Sequence, residues 1–218
     1  MKRWMLRGLL LISLVLVGTG IALHGSSAEE DATVTQASLS EAEIDALMGE
    51  PLPVPTVEEL TRHLNAFQQD VAPRIEEEFE RTLAMRQFVE AKLAGDTVDV
   101  DRLIAKAQDS ARFERAWLAH AETEYGIVAS EEEVDAWIEA GPDTYVVDSA
   151  VNLAEALGVS LNELNHVTYR DQYVKWVVWE QLIPRLTAKY EQESAGVKLD
   201  NNELIRRYEA EVRTYMND

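Results

Sequence analysis

Residues 130–141, SEEEVDAWIEAG, spell a complete short helix with its start and stop written in. The Ser130 hydroxyl can accept the N–H of Glu133 while the Glu133 carboxylate returns to the N–H of Ser130, so two donors that a helix start leaves free are satisfied together. Gly141 can take the left-handed conformation that ends a helix, and Pro142 behind it cannot continue one. Residues 40–49, SEAEIDALMG, are a near copy.

The same punctuation recurs outward along the chain. Thr56-x-x-Glu59, Ser160-x-x-Glu163 and Asp200-x-x-Glu203 match the capping box or a close relative of it. Gly95, Gly126, Gly141, Gly158 and Gly196 fall where apolar periodicity runs out. The spacing predicts helices over 41–48, 57–71, 74–93, 100–124, 131–140, 143–157, 161–192 and 201–217. The expected fold is therefore all-α, an irregular set of helices with a long one toward the C-terminus. At most one short strand is expected, over residues 32–39, where β-branched and polar residues alternate. PLPVP, residues 51–55, cannot be helical and reads as an extended linker. The domain plan is then 1–28 as a signal or anchor, 29–55 as an extended segment with a first short helix and the linker, and 56–218 as the helical body.

The segment from Leu161 decides how that body packs. Leu164, Val167, Val174, Val178, Leu182 and Leu186 share a stripe at helical spacing, which predicts core. Tyr169, Tyr173, Trp176 and Ile183 form a second stripe, and Trp179 lies near the first, so the helix is apolar over most of its circumference. Such a helix is central to its domain or offers a hydrophobic band to a partner, and centrality is the default. Pro184 should bend or break it.

The chain opens with Lys2, Arg3 and Arg7 ahead of an apolar run over residues 9–17, then small residues up to Ala28, the pattern of an export signal. Stretched over 8–23 it could also serve as an uncleaved anchor. Everything beyond Ala28 is then extracytoplasmic. There is no cysteine, hence no disulfide, thiol nucleophile or lipid-bearing Cys. Without residues 1–28, 17 basic side chains face 40 acidic ones, a net charge of −23. Nucleic acid is an unsuitable partner for such a surface, because phosphate binding needs a basic patch.

No G-x-S-x-G elbow, phosphate-cradling glycine loop or H-E-x-x-H is present. His120 and Glu124 share a helix face and could offer two metal ligands, but two ligands do not make a site. The acidic run Glu76, Glu77, Glu78 and Glu80 reads as solvated surface. No catalytic constellation, cofactor or metal is expected, which leaves binding as the default role.

Three segments resemble the SurA/PrsA-type extracytoplasmic chaperones. TVTQASLSEAEIDALM, residues 33–48, is similar to the family's opening strand, turn and first helix. YGIVASEEEVDAWI, residues 125–138, resembles its glycine, hydrophobic pair, Ser/Thr cap and short helix. ALGVSLNELNHVTYRDQYVKWVVWEQLI, residues 156–183, is similar to its L-G-hydrophobic-[ST]-x-x-E step into a long helix. LDNNELIRRYEAEV, residues 199–212, resembles the helix leading into the family's isomerase domain. Two features depart from the pattern: Gln36-Ala37 stands where an Asn-Gly turn is usual, and the sequence given stops at Asp218, where a parvulin domain would begin. The resemblance implies a SurA N-like helical module without prolyl isomerase activity, needing neither ATP nor a cofactor.

Its implied partners are unfolded or nascent exported polypeptides. The membrane is met only through the N-terminal segment, and a homodimer that hides the aromatic helix stays open. The rival reading is a non-catalytic adaptor for one specific folded partner at the cell envelope. A client surface would lie on Trp137, Tyr145, Tyr169, Tyr173, Trp176 and Trp179, since aromatic side chains bury much area with few rotors to freeze. Core packing is the alternative for each, for Trp176 above all.

Overall fold

Val57 begins the first described helix because Thr56, in extended conformation, accepts the N–H of Glu59 on its hydroxyl. A computed structural model describes residues 53–193 and 197–217. Among these it contains eight α-helices and no strand: α1 (Val57–Asp70), α2 (Glu78–Leu93), α3 (Val100–Tyr125), α4 (Glu131–Ala140), α5 (Asp148–Leu157), the single turn α6 (Leu161–Glu163), α7 (Arg170–Glu193) and α8 (Asn201–Tyr215). The all-α expectation therefore holds for the described residues. The expected strand over 32–39, the helix over 41–48 and the export segment over 1–28 lie outside them. No described helix is long and apolar enough to cross a membrane.

The caps form largely as the spacing dictates. Ser130 and Glu133 close a full capping box, while Ser160 and Asp200 each accept the N–H three residues on. Gly126 and Gly158 end α3 and α5 in the left-handed conformation, where a Cβ would be strained. Gly141 does not follow them: its φ of −120° lies outside the left-handed region, and α4 passes instead into a 3₁₀ turn, Pro142–Thr144.

Three boundaries differ from expectation, each for a local reason. The helix expected from 74 begins at Glu78, because the Glu77 carboxylate caps the N–H groups of Phe79 and Glu80 while Arg81 donates to the carbonyls of Ile75 and Glu76. The helix expected from 143 begins at Asp148, since Asp143 is drawn into side-chain contacts and residues 145–147 run extended. The single helix expected over 161–192 is broken before its proline. Residues Leu164–Thr168 form a π-turn, the Tyr169 N–H reaches back to the Leu164 carbonyl at 2.9 Å, and α7 starts only at Arg170. Pro184 sits inside α7 without ending it. The wider π-turn shifts the register, so Val167, expected in the core stripe, is exposed, while Leu164, Val178, Leu182 and Leu186 are buried.

The long α3, about 39 Å at 1.5 Å per residue, serves two cores. Its first half lays Leu103, Ala107 and Ala111 against Phe67, Leu83, Ala84 and Phe88 of α1 and α2. Its second half sets Trp117 and Ala121 among Val178, Trp179, Leu182, Leu186 and Tyr190 of α7 and Leu204, Tyr208 and Val212 of α8. Smaller clusters seat α5 on α1 and α2, and α4 on α7 through Val134, Ile138 and Val177. α7 is thus flanked by α3, α4 and α8.

Candidate binding surface

The six aromatic candidates do not share one surface. Trp179 is core: it is 6% exposed, its ring lies 6.4 Å from Trp117 and 6.2 Å from Tyr208, and its indole N–H donates to Asn201. It offers no ring to a client. Trp176, expected to be the most buried of the set, is only half-buried, packed against that core from outside. The expected order of these two tryptophans is reversed, because Trp179 lies close to the buried stripe of Val178, Leu182 and Leu186 while Trp176 sits on the second stripe. Tyr169 lies under the Arg86 guanidinium, 4.5 Å from carbon to ring centroid, and burial pushes its hydroxyl pKa up.

Of the remaining three, Trp137 and Tyr173 meet near the start of α7, while Tyr145 follows the 3₁₀ turn and is exposed. The rings of Trp137 on α4 and Tyr173 on α7 meet at 5.5 Å, and the Trp137 indole donates to Glu180 at 3.2 Å. The Tyr173 hydroxyl donates to Asn165 of the π-turn at 3.2 Å, and burial pushes its pKa up to about 12. Asn165 in turn donates to Asp143 at 2.8 Å, in the 3₁₀ turn that leads into the extended segment 145–147. On that segment Tyr145 is 46% and Val146 72% exposed, and Val167 on the π-turn is 70% exposed. Segment 145–167 supplies four of the eight large hydrophobic residues that are exposed among those described, Val151 being the fourth.

A polar cluster underlies this edge. His166 points Nε2 at Asp143, 2.9 Å away, and Nδ1 at Asp135 of α4, 3.4 Å away. Arg170 binds Asp135 at 2.5 Å and also pairs with Glu131. The hydrogen bond to Asp143 is the main reason that the His166 pKa is raised. Arg170 first, and then His166, holds Asp135 below the usual carboxylate range. Burial alone would push Asp143 up, but Asn165 and His166 outweigh it and leave its pKa lowered.

On its other side the helix start is held by Arg86 from α2. The buried guanidinium grips both oxygens of Asp171, at 2.6 and 2.7 Å, and donates to the Thr168 carbonyl that the break leaves free. Burial opposes the charge on Arg86, and Asp171 outweighs that cost. None of Asp143, Asn165, His166, Arg170 and Arg86 was singled out in the sequence as belonging to a site. Their roles come from tertiary pairing at a helix break that no periodicity announces.

The suggested metal pair is not assembled. His120 is buried and faces Glu211 of α8 at 3.3 Å, whereas Glu124 is exposed. Among the described residues no group of three or more His, Cys, Asp or Glu is placed to hold a metal ion. An open depression of about 570 Å³ runs along α1 past Glu58, Thr61, Arg62 and Gln69, and none of the aromatic candidates lines it. Comparison with protein-family models, curated proteins and solved structures finds no significant match.

Proposed function

We propose that this chain holds extended segments of unfolded or newly translocated polypeptides outside the cytoplasmic membrane, without ATP and without a reaction of its own, in the manner of the SurA N-like domain that its sequence resembles. The observation that carries the reading is the edge at the start of α7. There the Trp137 and Tyr173 rings meet, and the 3₁₀ turn tied to the π-turn through Asp143 leads into Tyr145 and Val146, which with Val167 are exposed on irregular backbone. An acidic exterior would keep a complex with an apolar client dispersed.

One observation favours the adaptor reading. With Trp179 in the core and Tyr169 under Arg86, the exposed apolar surface is small, which suits one dedicated folded partner better than many clients. Light scattering of two unrelated proteins refolding from denaturant separates the two readings. The holdase reading expects the full chain to suppress aggregation of both, and Tyr145→Ser with Val146→Ser to weaken suppression while helical circular dichroism is unchanged. A well-folded chain that suppresses neither would overturn it.

A further inference from the structure

We propose that the His166 imidazole, held between Asp143 and Asp135, is a proton-operated fastener: charged, it ties the 3₁₀ turn Pro142–Thr144, and through it the start of segment 145–147, to the π-turn, and neutral, it lets that turn loosen. Both ring nitrogens face carboxylate oxygens that belong to different elements, Asp143 in the 3₁₀ turn and Asp135 in α4. An imidazolium donates to both, whereas a neutral imidazole has one N–H and must turn a lone pair toward the other carboxylate. Loss of the proton therefore removes one of the two attachments and replaces it with repulsion.

The surrounding groups decide which attachment is lost. From α7, Arg170 binds Asp135 at 2.5 Å and pairs with Glu131 of α4, so Asp135 keeps a cationic partner at every ordinary pH. Among the described residues Asp143 has no such partner. Its other donors are the neutral amides of Asn165 at 2.8 Å and Asn162 at 3.5 Å, and Asn165 is shared with the Tyr173 hydroxyl. The weak point is thus the Asp143 side, which is the anchor of the 3₁₀ turn and of the segment behind it. The direction of the pKa values agrees, with His166 raised and both aspartates lowered. The fastener is closed from below the usual carboxylate range up to the raised titration of His166, and opens above it. Its effect on client binding rests on the proposed function; its existence does not.

Histidine-ring NMR of the full chain, run beside hydrogen exchange of the Thr144 and Tyr145 amides, tests the device directly. These amides close the turn onto the carbonyls of Gly141 and Pro142. Corrected for intrinsic rates, their exchange should accelerate severalfold as pH passes the His166 titration point, while amides of α1 do not respond. His166→Gln should show fast exchange at both ends of the range, and Asp143→Asn should lower the His166 titration. Exchange that is independent of pH in the natural sequence, or a midpoint that does not coincide with the ring titration, overturns the proposal. That comparison needs no variant to fold. Aggregation assays on either side of the midpoint separate the two ideas: a client held at neither pH sinks the binding reading and leaves the exchange result standing.

Discussion

The two ends of α7 are fastened by polar clusters of opposite construction. At its start, three cations (Arg86, Arg170 and, when protonated, His166) are surrounded by Asp171, Asp135, Glu131 and Asp143. Toward its end a single carboxylate, Glu211 of α8, accepts from the Tyr125 hydroxyl at 2.6 Å, the Tyr190 hydroxyl at 2.8 Å and the Lys189 ammonium at 2.6 Å, with His120 Nε2 at 3.3 Å. The first cluster secures an irregular break beside an exposed edge; the second locks α8 over the aromatic core of Trp117, Trp179 and Tyr208. The difference shows in the response to pH: acid weakens both clusters by protonating their carboxylates, and loss of the His166 proton weakens the first as pH rises.

The largest expected effect comes from Arg86. Replacing it by Met leaves Asp171 without its partner and the Thr168 carbonyl without its donor; breaking a buried pair from one side costs about 3–5 kcal/mol, and the partial exposure of Asp171 puts this loss at the low end, about 3 kcal/mol. Denaturant unfolding should show the midpoint fall at unchanged slope. Adding Asp171→Leu should recover part of the loss, because the stranded charge is then gone. A loss under about 1 kcal/mol would mean that the break is held by packing instead.

Glu211→Gln tests the other end. Charged hydrogen bonds contribute about 1.5–3 kcal/mol each, but the glutamine amide keeps one acceptor, so a net loss of about 2–3 kcal/mol is expected. Burial alone would raise the Glu211 pKa, and Lys189, Tyr125, Tyr190 and His120 more than offset it, leaving a lowered value. The same site pushes Tyr125 up to about 12, through burial first and then Glu211. A carboxylate lowered on folding contributes stability that is complete above its unfolded pKa, near 4.3, and is lost as pH falls through the folded value. The difference between natural sequence and variant should therefore be largest at neutral pH and shrink on acidification. A difference that stays constant to low pH would remove the charge from the argument.

Such an asymmetry was only half legible in the sequence. Helix starts at Thr56, Ser130, Ser160 and Asp200 were readable because capping is local, depending on side chains three residues apart. The start at Glu77 was not, since one Glu in an acidic run carries no special mark until the backbone shows which one accepts; the start at Val100 was placed, although its cap, Asp99, was not named. The core stripe of α7 was readable from Val178 onward and failed at Val167, where the π-turn adds a residue that periodicity cannot foresee. The aromatic candidates were found by residue type, yet type alone did not separate Trp179 in the core from Tyr145 on the edge. The pairing of Asp143, Asn165 and His166 joins residues more than twenty positions apart across a break, so nothing local encoded it.

The smallest expected effect sharpens the comparison furthest. Ser130→Ala removes the α4 cap beside the first cluster, and Thr56→Ala removes the α1 cap; each costs about 1 kcal/mol alone. Glu131 and Asp135 lie in the first two turns of α4, so the cluster at the start of α7 gives that helix end a second support. Combining Ser130→Ala with His166→Gln should then cost a few tenths of a kcal/mol more than the sum of the two, while Thr56→Ala with His166→Gln should add, as sites without shared partners do. The excess should also fade for Ser130→Ala with Glu211→Gln, whose groups share no contact. Additivity in all three pairs would mean that the cluster orders only the edge and not the helix beneath it, confining the pH response to segment 145–147.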